Sequence, residues 1–264
     1  VDFAIIEAGL GGRLDSTNII TPLACLITNI SFDHQDLLGD TLEKIASEKA
    51  GFIKSHIPVT ISEKQPETSD VFLTKASSAN APLQFASDVI TASDFTFTSP
   101  AWGVMNIDSP YKGHYQQKNI RGILAWCEQI QSIIPLEAAK IKSGIEQTRI
   151  NTGLQGRWEI LGESPKIIAD TGHNKSGITE IIQQVNRENF AHLTIILGMV
   201  ADKDIDSVLS LFPTSASYYF SQAHNPRAIP AINLQKLASA KGLQGEVIPS
   251  VNEAISLAKS HSGP

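Results

Sequence analysis

The chain has 264 residues, 42% hydrophobic and 18% charged, with a formal net charge of −6. That length suits two domains with real cores. The acidic balance argues against a nucleic-acid partner, no apolar run is long enough to span a membrane, and no charged-then-apolar leader opens the chain.

The runs VDFAII (1–6) and ACLIT (24–28) read as buried parallel strands, because they are almost continuously apolar. A strand at the very start, without a methionine, reads as part of a longer protein. Between the two runs stands EAGLGGRLDSTN (7–18). Gly9 and Gly11 match the dinucleotide pattern G-x-G-x-x-G, but Leu14 occupies the third position, and the β-branched residues and Pro22 that follow predict no helix. The glycines read as a tight turn. Glu7, at the C-terminal end of a strand, reads either as a metal ligand or as a structural carboxylate.

SFDHQDLLGD (31–40) reads as a loop, with His34 either solvated or donating a ring nitrogen to a divalent ion. Glu7 and His34 meet if their strands are neighbours. A helix is expected from Thr41 to Lys54, opened by Asp40 and Glu43 as a D-x-x-E cap. Its apolar stripe is Leu42, Ile45, Ala46, Lys49 and Ile53. A lysine on that stripe either snorkels to water or reaches a site. In the second case its pKa falls, and the neutral amine can take up carbon dioxide as a carbamate, becoming an anion that binds metal.

PVTIS (58–62) reads as a strand, 88–112 as β-rich and irregular, and QQKNIRGILAWCEQI as a helix, followed by another over Leu136–Ile145. NTGLQGR (151–157) reads as a linker between a domain of residues 1–150 and a second of 158–264. Beyond it, KIIAD, LTIILGM, SYYFSQ and EVIPS alternate with helices, predicting βαβ crossovers and a mostly parallel sheet. KIIAD ends at Asp170, and His173 and Asn174 follow before a helix; this polar cluster suits a ribose, a phosphate or a catalytic loop, with a loop cap as the alternative for Asp170. Arg157, at the linker, reads either as an ordinary linker arginine or as one that reaches phosphates in the other domain. Cys25 and Cys127 lie in apolar surroundings and read as unpaired core thiols in a reducing, cytoplasmic setting.

EAGLGGRLDSTN, ITNISFDHQDLLGDTLEKIASEKAGFIK, GHYQQKN, GRWE and DTGHN, in that order, resemble the folylpolyglutamate synthase/dihydrofolate synthase family, the folate branch of the Mur ligases. The resemblance implies an α/β fold: part of a P-loop NTPase-like, mostly parallel-sheet domain, then a smaller Rossmann-like α/β domain. It implies a monomeric enzyme that uses ATP to phosphorylate a folate or pteroate carboxylate and joins it to the amino group of L-glutamate. It also implies two magnesium ions held by Glu7, His34 and carbamylated Lys49. Lys49, His34 and His173 become the catalytic candidates, with His173 beside the nucleotide or the glutamate. Leu14, Asp15 and Ser16 would line the pterin pocket, Asn119 would bind adenine, Arg157 the ATP phosphates and Asp170 the ribose. The family's phosphate-binding loop, G-x-x-G-K-[ST], is not in this sequence, which implies that the chain as given binds ATP poorly and does not ligate. A cell-wall Mur ligase and a non-catalytic nucleotide-binding relative are the alternatives.

Overall fold

The computed structural model describes residues 2–201 and 204–262. The chain divides into two units, Val1–Gln155 and Gly156–Pro264.

In the first unit, residues 2–8 form no strand. Val1 lies outside the described residues, and the rest of the expected first strand is exposed, Ile5 at 84%. An apolar run becomes a strand only where a neighbour completes its ladder, and among the described residues none does. The first strand is β1 (Cys25–Ile27). Two features depart from the expected loop and cap. A short helical turn, α1 (Gln35–Leu38), lies within the loop, and α2 (Leu42–Lys49) is capped by Thr41, whose side chain accepts from Lys44 N. Asp40 is turned instead to Lys44 Nζ, at 2.7 Å. Helix α2 passes into a 3-10 turn over Ala50–Phe52.

Next come β2 (Val59–Ile61), α3 (Pro66–Ser78) and β3 (Leu83–Phe85). The strands pair in parallel as β1-β2-β3, with Cys25 opposite Val59 and Val59 opposite Leu83. Helix α3 was not expected, since most of its residues are polar. It starts with Pro66, whose fixed φ suits a first helical turn, and it buries Thr68, Phe72 and Ala76 at spacings of four. Phe72 and Ala76 join Ile27, Ile45, Ala46, Ile53, Val59, Ile61 and Phe85 in one core. Burying each large side chain there contributes roughly 1.5–3 kcal/mol.

After α4 (Ala86–Val89), β4 (Thr91–Ser93), β5 (Thr96–Ser99) and β6 (Gly103–Asn106) form an antiparallel sheet. The turn from β4 to β5 is Asp94–Phe95, both at positive φ (46° and 60°), as a two-residue hairpin turn of the primed kind requires. Helix α5 (Gln116–Gln129) packs Ile120, Leu124 and Cys127 into this sheet's core. Helices α6 (Ala138–Glu146) and α7 (Thr148–Thr152) close the unit, so the first two residues of the expected linker are helical. Both cysteines are free thiols, and burial lifts each to about 11.

The second unit opens with an antiparallel hairpin, β7 (Glu159–Glu163) and β8 (Lys166–Ala169). KIIA therefore pairs with EILGE and does not join the parallel sheet, which corrects the expectation for that strand. Helix α8 (Lys175–Val185) is capped by Asn174, whose side chain accepts from Gly177 N. Then β9 (Thr194–Leu197), α9 (Ile205–Leu209), β10 (Ser217–Phe220), α10 (Ala231–Ser239), β11 (Gly245–Val247) and α11 (Val251–His261) follow. The three strands run parallel in the order β11-β10-β9. Strand β10 lies in the middle, so it has a neighbour on both edges, and Tyr218 and Phe220 are fully buried with Leu209, Leu234 and Leu243. No helix among the described residues is long and apolar enough to cross a membrane.

Candidate functional site

The candidate residues fall into two groups, one in each unit.

In the first unit, the glycine-rich loop is docked on the C-terminal end of α2. Arg13 N donates to Glu48 O at 2.8 Å, and the Arg13 guanidinium grips Glu48 Oε1 through Nε (3.1 Å) and Nη2 (3.0 Å). Asn18 Nδ2 donates to Gly51 O at 3.1 Å, and Lys54 Nζ to Asn18 O at 2.7 Å. Two glycines make this approach feasible. A Cβ on Gly12 would sit 2.4 Å from Glu48 O, and one on Gly51 would sit 2.4 Å from Arg13 Cα. The loop is therefore held by close backbone contact from both sides.

Asp15 organises the loop. One oxygen accepts from Leu10 N (2.8 Å), the other from Thr17 N (2.9 Å) and Thr17 Oγ1 (2.5 Å). The Thr17 hydroxyl and these amides hold its carboxyl down at about 2. Asp15 also caps a 3-10 turn over Ser16–Ile19, in a stretch where no helix was expected. The turn is a single one and ends at Ile20, so it does not restore a dinucleotide loop. Of the three proposed pterin contacts, Leu14 and Ser16 are exposed and Asp15 is half-buried.

Lys49 is half-buried at the end of α2, as its place on the apolar stripe implied. Burial lowers its pKa, opposed by the nearby carboxylates of Asp15 and Asp33. His34 sits in the left-handed region (φ 50°) at the start of α1. Its N–H donates to Asp33 Oδ1 at 2.9 Å, and its Nε2 lies 3.8 Å from the same oxygen. Asp33, absent from the expected site, is thus the residue shared by His34 and Lys49. Glu7 is exposed, on the stretch that forms no strand, so the argument that paired strands bring Glu7 to His34 loses its premise. Among the described residues no three His, Cys, Asp or Glu side chains converge on a metal position. Asn119, on α5, donates from Nδ2 to Gln116 Oε1 at 2.9 Å.

In the second unit, GRWE and DTGHN are laced together. Asp170 Oδ2 accepts from Trp158 N (2.7 Å), and Oδ1 accepts from Gly172 N (2.8 Å). Glu159, buried, accepts from Gly156 N at 2.8 Å. Arg157 Nη1 donates to Gly156 O (3.1 Å) and to the Thr171 hydroxyl. The His173 ring lies with Nδ1 3.1 Å from Thr171 O. The hydrogen-bond capping read as one alternative for Asp170 is present. Sequence reasoning missed Glu48, Asp33, Glu159 and Thr171. Glu48 carried no signal, because its partner Arg13 lies 35 residues away, whereas Asp33 stands beside His34 in the same motif and could have been weighed with it. Glu159 and Thr171 stand inside the quoted motifs and could have been weighed with them.

Residues 156–264 match the family described as Mur ligase, glutamate ligase domain. The chain is 32% identical over 249 residues to the dihydrofolate synthase/folylpolyglutamate synthase of Bacillus subtilis, covering 89% of this chain and 56% of that protein. It is 30% identical to the folylpolyglutamate synthase of Lacticaseibacillus casei, covering 90% and 58%. Its fold superposes on E. coli FolC in complex with DHPP and ADP with a TM-score of 0.82, at 28% identity, covering 97% of this chain and 59% of that one. The chain thus spans little more than half the length of these relatives.

Proposed function

The chain belongs to the folylpolyglutamate synthase/dihydrofolate synthase family, the folate branch of the Mur ligases, and from that premise we propose that its protein is an ATP-dependent ligase joining L-glutamate to a folate-type carboxylate, on tetrahydrofolate, on dihydropteroate or on both. The observation that carries the proposal is the similarity over about nine-tenths of the chain to relatives that bear those names. A cytoplasmic, monomeric enzyme is part of the same reading.

The chemistry is the transfer of the γ-phosphoryl group of ATP to the substrate carboxylate. The glutamate amine then attacks the acyl phosphate, and phosphate leaves. Two anionic reactants must meet, so positive charge and well-placed donors matter most. In the first unit, Lys49 is the candidate for holding the magnesium that would supply that charge. Burial favours its neutral amine, the form that takes up carbon dioxide and releases a proton to become a carbamate. Glu7, His34 and this carbamate are the proposed magnesium ligands, and magnesium would neutralise charge on the transferred phosphoryl group. Leu14, Asp15 and Ser16 are assigned to the pterin, with Asp15 acting by keeping the loop in shape. Asn119 is assigned to the adenine. In the second unit, Arg157 is assigned to phosphate oxygens and Asp170 to ribose hydroxyls. His173 lies beside the nucleotide or the glutamate.

The acyl phosphate is tested by supplying the folate-type substrate with heavy oxygen in its carboxylate. The proposal expects that label in the inorganic phosphate released. Phosphate without label, in a reaction that still forms the amide, overturns it.

A further inference from the structure

Three hydrogen bonds in the second unit end on one carbonyl. The Gly156 oxygen accepts from Thr171 N at 3.0 Å, from Thr171 Oγ1 at 3.1 Å and from Arg157 Nη1 at 3.1 Å. Arg157 Nη1 also donates to Thr171 Oγ1. The threonine hydroxyl therefore uses its hydrogen toward Gly156 and a lone pair toward the guanidinium. Its methyl is equally constrained: Thr171 Cγ2 lies 2.5 Å from where a Cβ on Gly156 would stand, and Gly156 has a φ of +70°. Only glycine lets the two segments come this close. The backbone on either side of Arg157 is also held, by Glu159 at Gly156 N and by Asp170 at Trp158 N.

A guanidinium is planar, with its five N–H donors in fixed directions. Once Nη1 is anchored on two acceptors, the plane can no longer swing about the last bonds of the side chain. The direction of the other edge, Nε and Nη2, is then set before any ligand arrives, and the rotamer freedom that binding would otherwise remove is already gone. An edge of two parallel donors matches two oxygens of a phosphate.

We propose that Thr171 is a positioning residue for Arg157, fixing the guanidinium so that its Nε–Nη2 edge meets the phosphate oxygens of a nucleoside triphosphate. This rests on the reading of Arg157 as a phosphate contact. Glutamate incorporation by the full-length protein tests it, with KM for ATP and kcat measured separately for wild type, Thr171→Val, Thr171→Ser, Arg157→Ala and the Thr171→Val/Arg157→Ala pair. Thr171→Val keeps the bulk and removes the hydroxyl; Thr171→Ala serves in its place if valine lowers the melting temperature. The expected result is a rise in KM for ATP of about tenfold with a much smaller change in kcat. Serine restores most of the affinity, and the valine change adds nothing once Arg157 is alanine. A wild-type KM in Thr171→Val beside a raised KM in Arg157→Ala overturns the role of Thr171 alone, as does full additivity in the pair. An unchanged KM in Arg157→Ala overturns the phosphate reading and this proposal with it.

Discussion

Replacing Gly12 with alanine puts one methyl group against backbone. Its Cβ would lie 2.4 Å from Glu48 O, 2.8 Å from Lys49 Cα and 3.0 Å from Phe52 Cδ2. Ordinary contact begins near 3.4 Å, so the loop must retreat by about 1 Å. The atoms it meets are mostly main chain in the last turn of α2, which is tied by its own helix bonds and cannot give way cheaply. The retreat breaks the 2.8 Å bond from Arg13 N to Glu48 O, a loss of about 1 kcal/mol. Crowding that survives the retreat costs about 1–3 kcal/mol more. Because Lys49 Cα is one of the atoms met, the lysine and Asp15 also shift relative to each other, and a displacement of about 1 Å near reacting groups costs on the order of 100-fold in rate. Urea denaturation followed by circular dichroism, with glutamate-incorporation kinetics on the same samples, reads both effects. Gly144→Ala is the control, since a Cβ there, in the last turn of α6, meets nothing within 4 Å. Wild-type stability and turnover in Gly12→Ala would refute the docked-loop account.

Two pH predictions follow from the same loop. The Asp15 carboxyl lies at about 2 when folded, against an ordinary 3.8, so its contribution to stability is complete above 3.8 and is lost as pH falls through about 2. The stability gap between wild type and Asp15→Asn should therefore close on acidification across that window; a gap constant in pH contradicts the hydrogen-bond geometry. Lys49 titrates below the ordinary 10.5 because it is buried. Its sign is that of a depressed group: the stability it confers is complete above 10.5 and is lost as pH falls through its lower folded value. Relative to Lys49→Met, wild type should gain stability as the solution is made alkaline, measured by urea midpoints, and a flat difference would show that the amine is not desolvated.

Much of the second unit could be read from its sequence, because LTIILGM, SYYFSQ and their following helices have the two patterns that burial imposes: continuous apolar strands and helical stripes. KIIAD has the same look, yet it pairs backward with EILGE, since local composition does not choose the partner strand. VDFAII failed for a related reason: its residues are apolar enough for a strand, but the described residues supply no ladder. The β4–β5 hairpin was illegible because its turn, Asp94–Phe95, holds positive φ without glycine. In the candidate site, the half-burial of Lys49 followed from its register on α2, and the tight turn from the glycines. The gripping of Arg13 by Glu48 did not, because the two stand 35 residues apart and each alone resembles any surface charge.

The central claim is that this chain is part of a folate-directed glutamate ligase. Incorporation of labelled L-glutamate by the full-length protein, with tetrahydrofolate and with dihydropteroate as alternative acceptors, tests it most directly. The account predicts incorporation that needs ATP and one of these acceptors and falls sharply in Arg157→Ala. Incorporation into a cell-wall precursor instead, or none with either acceptor while ATP is bound, would contradict it.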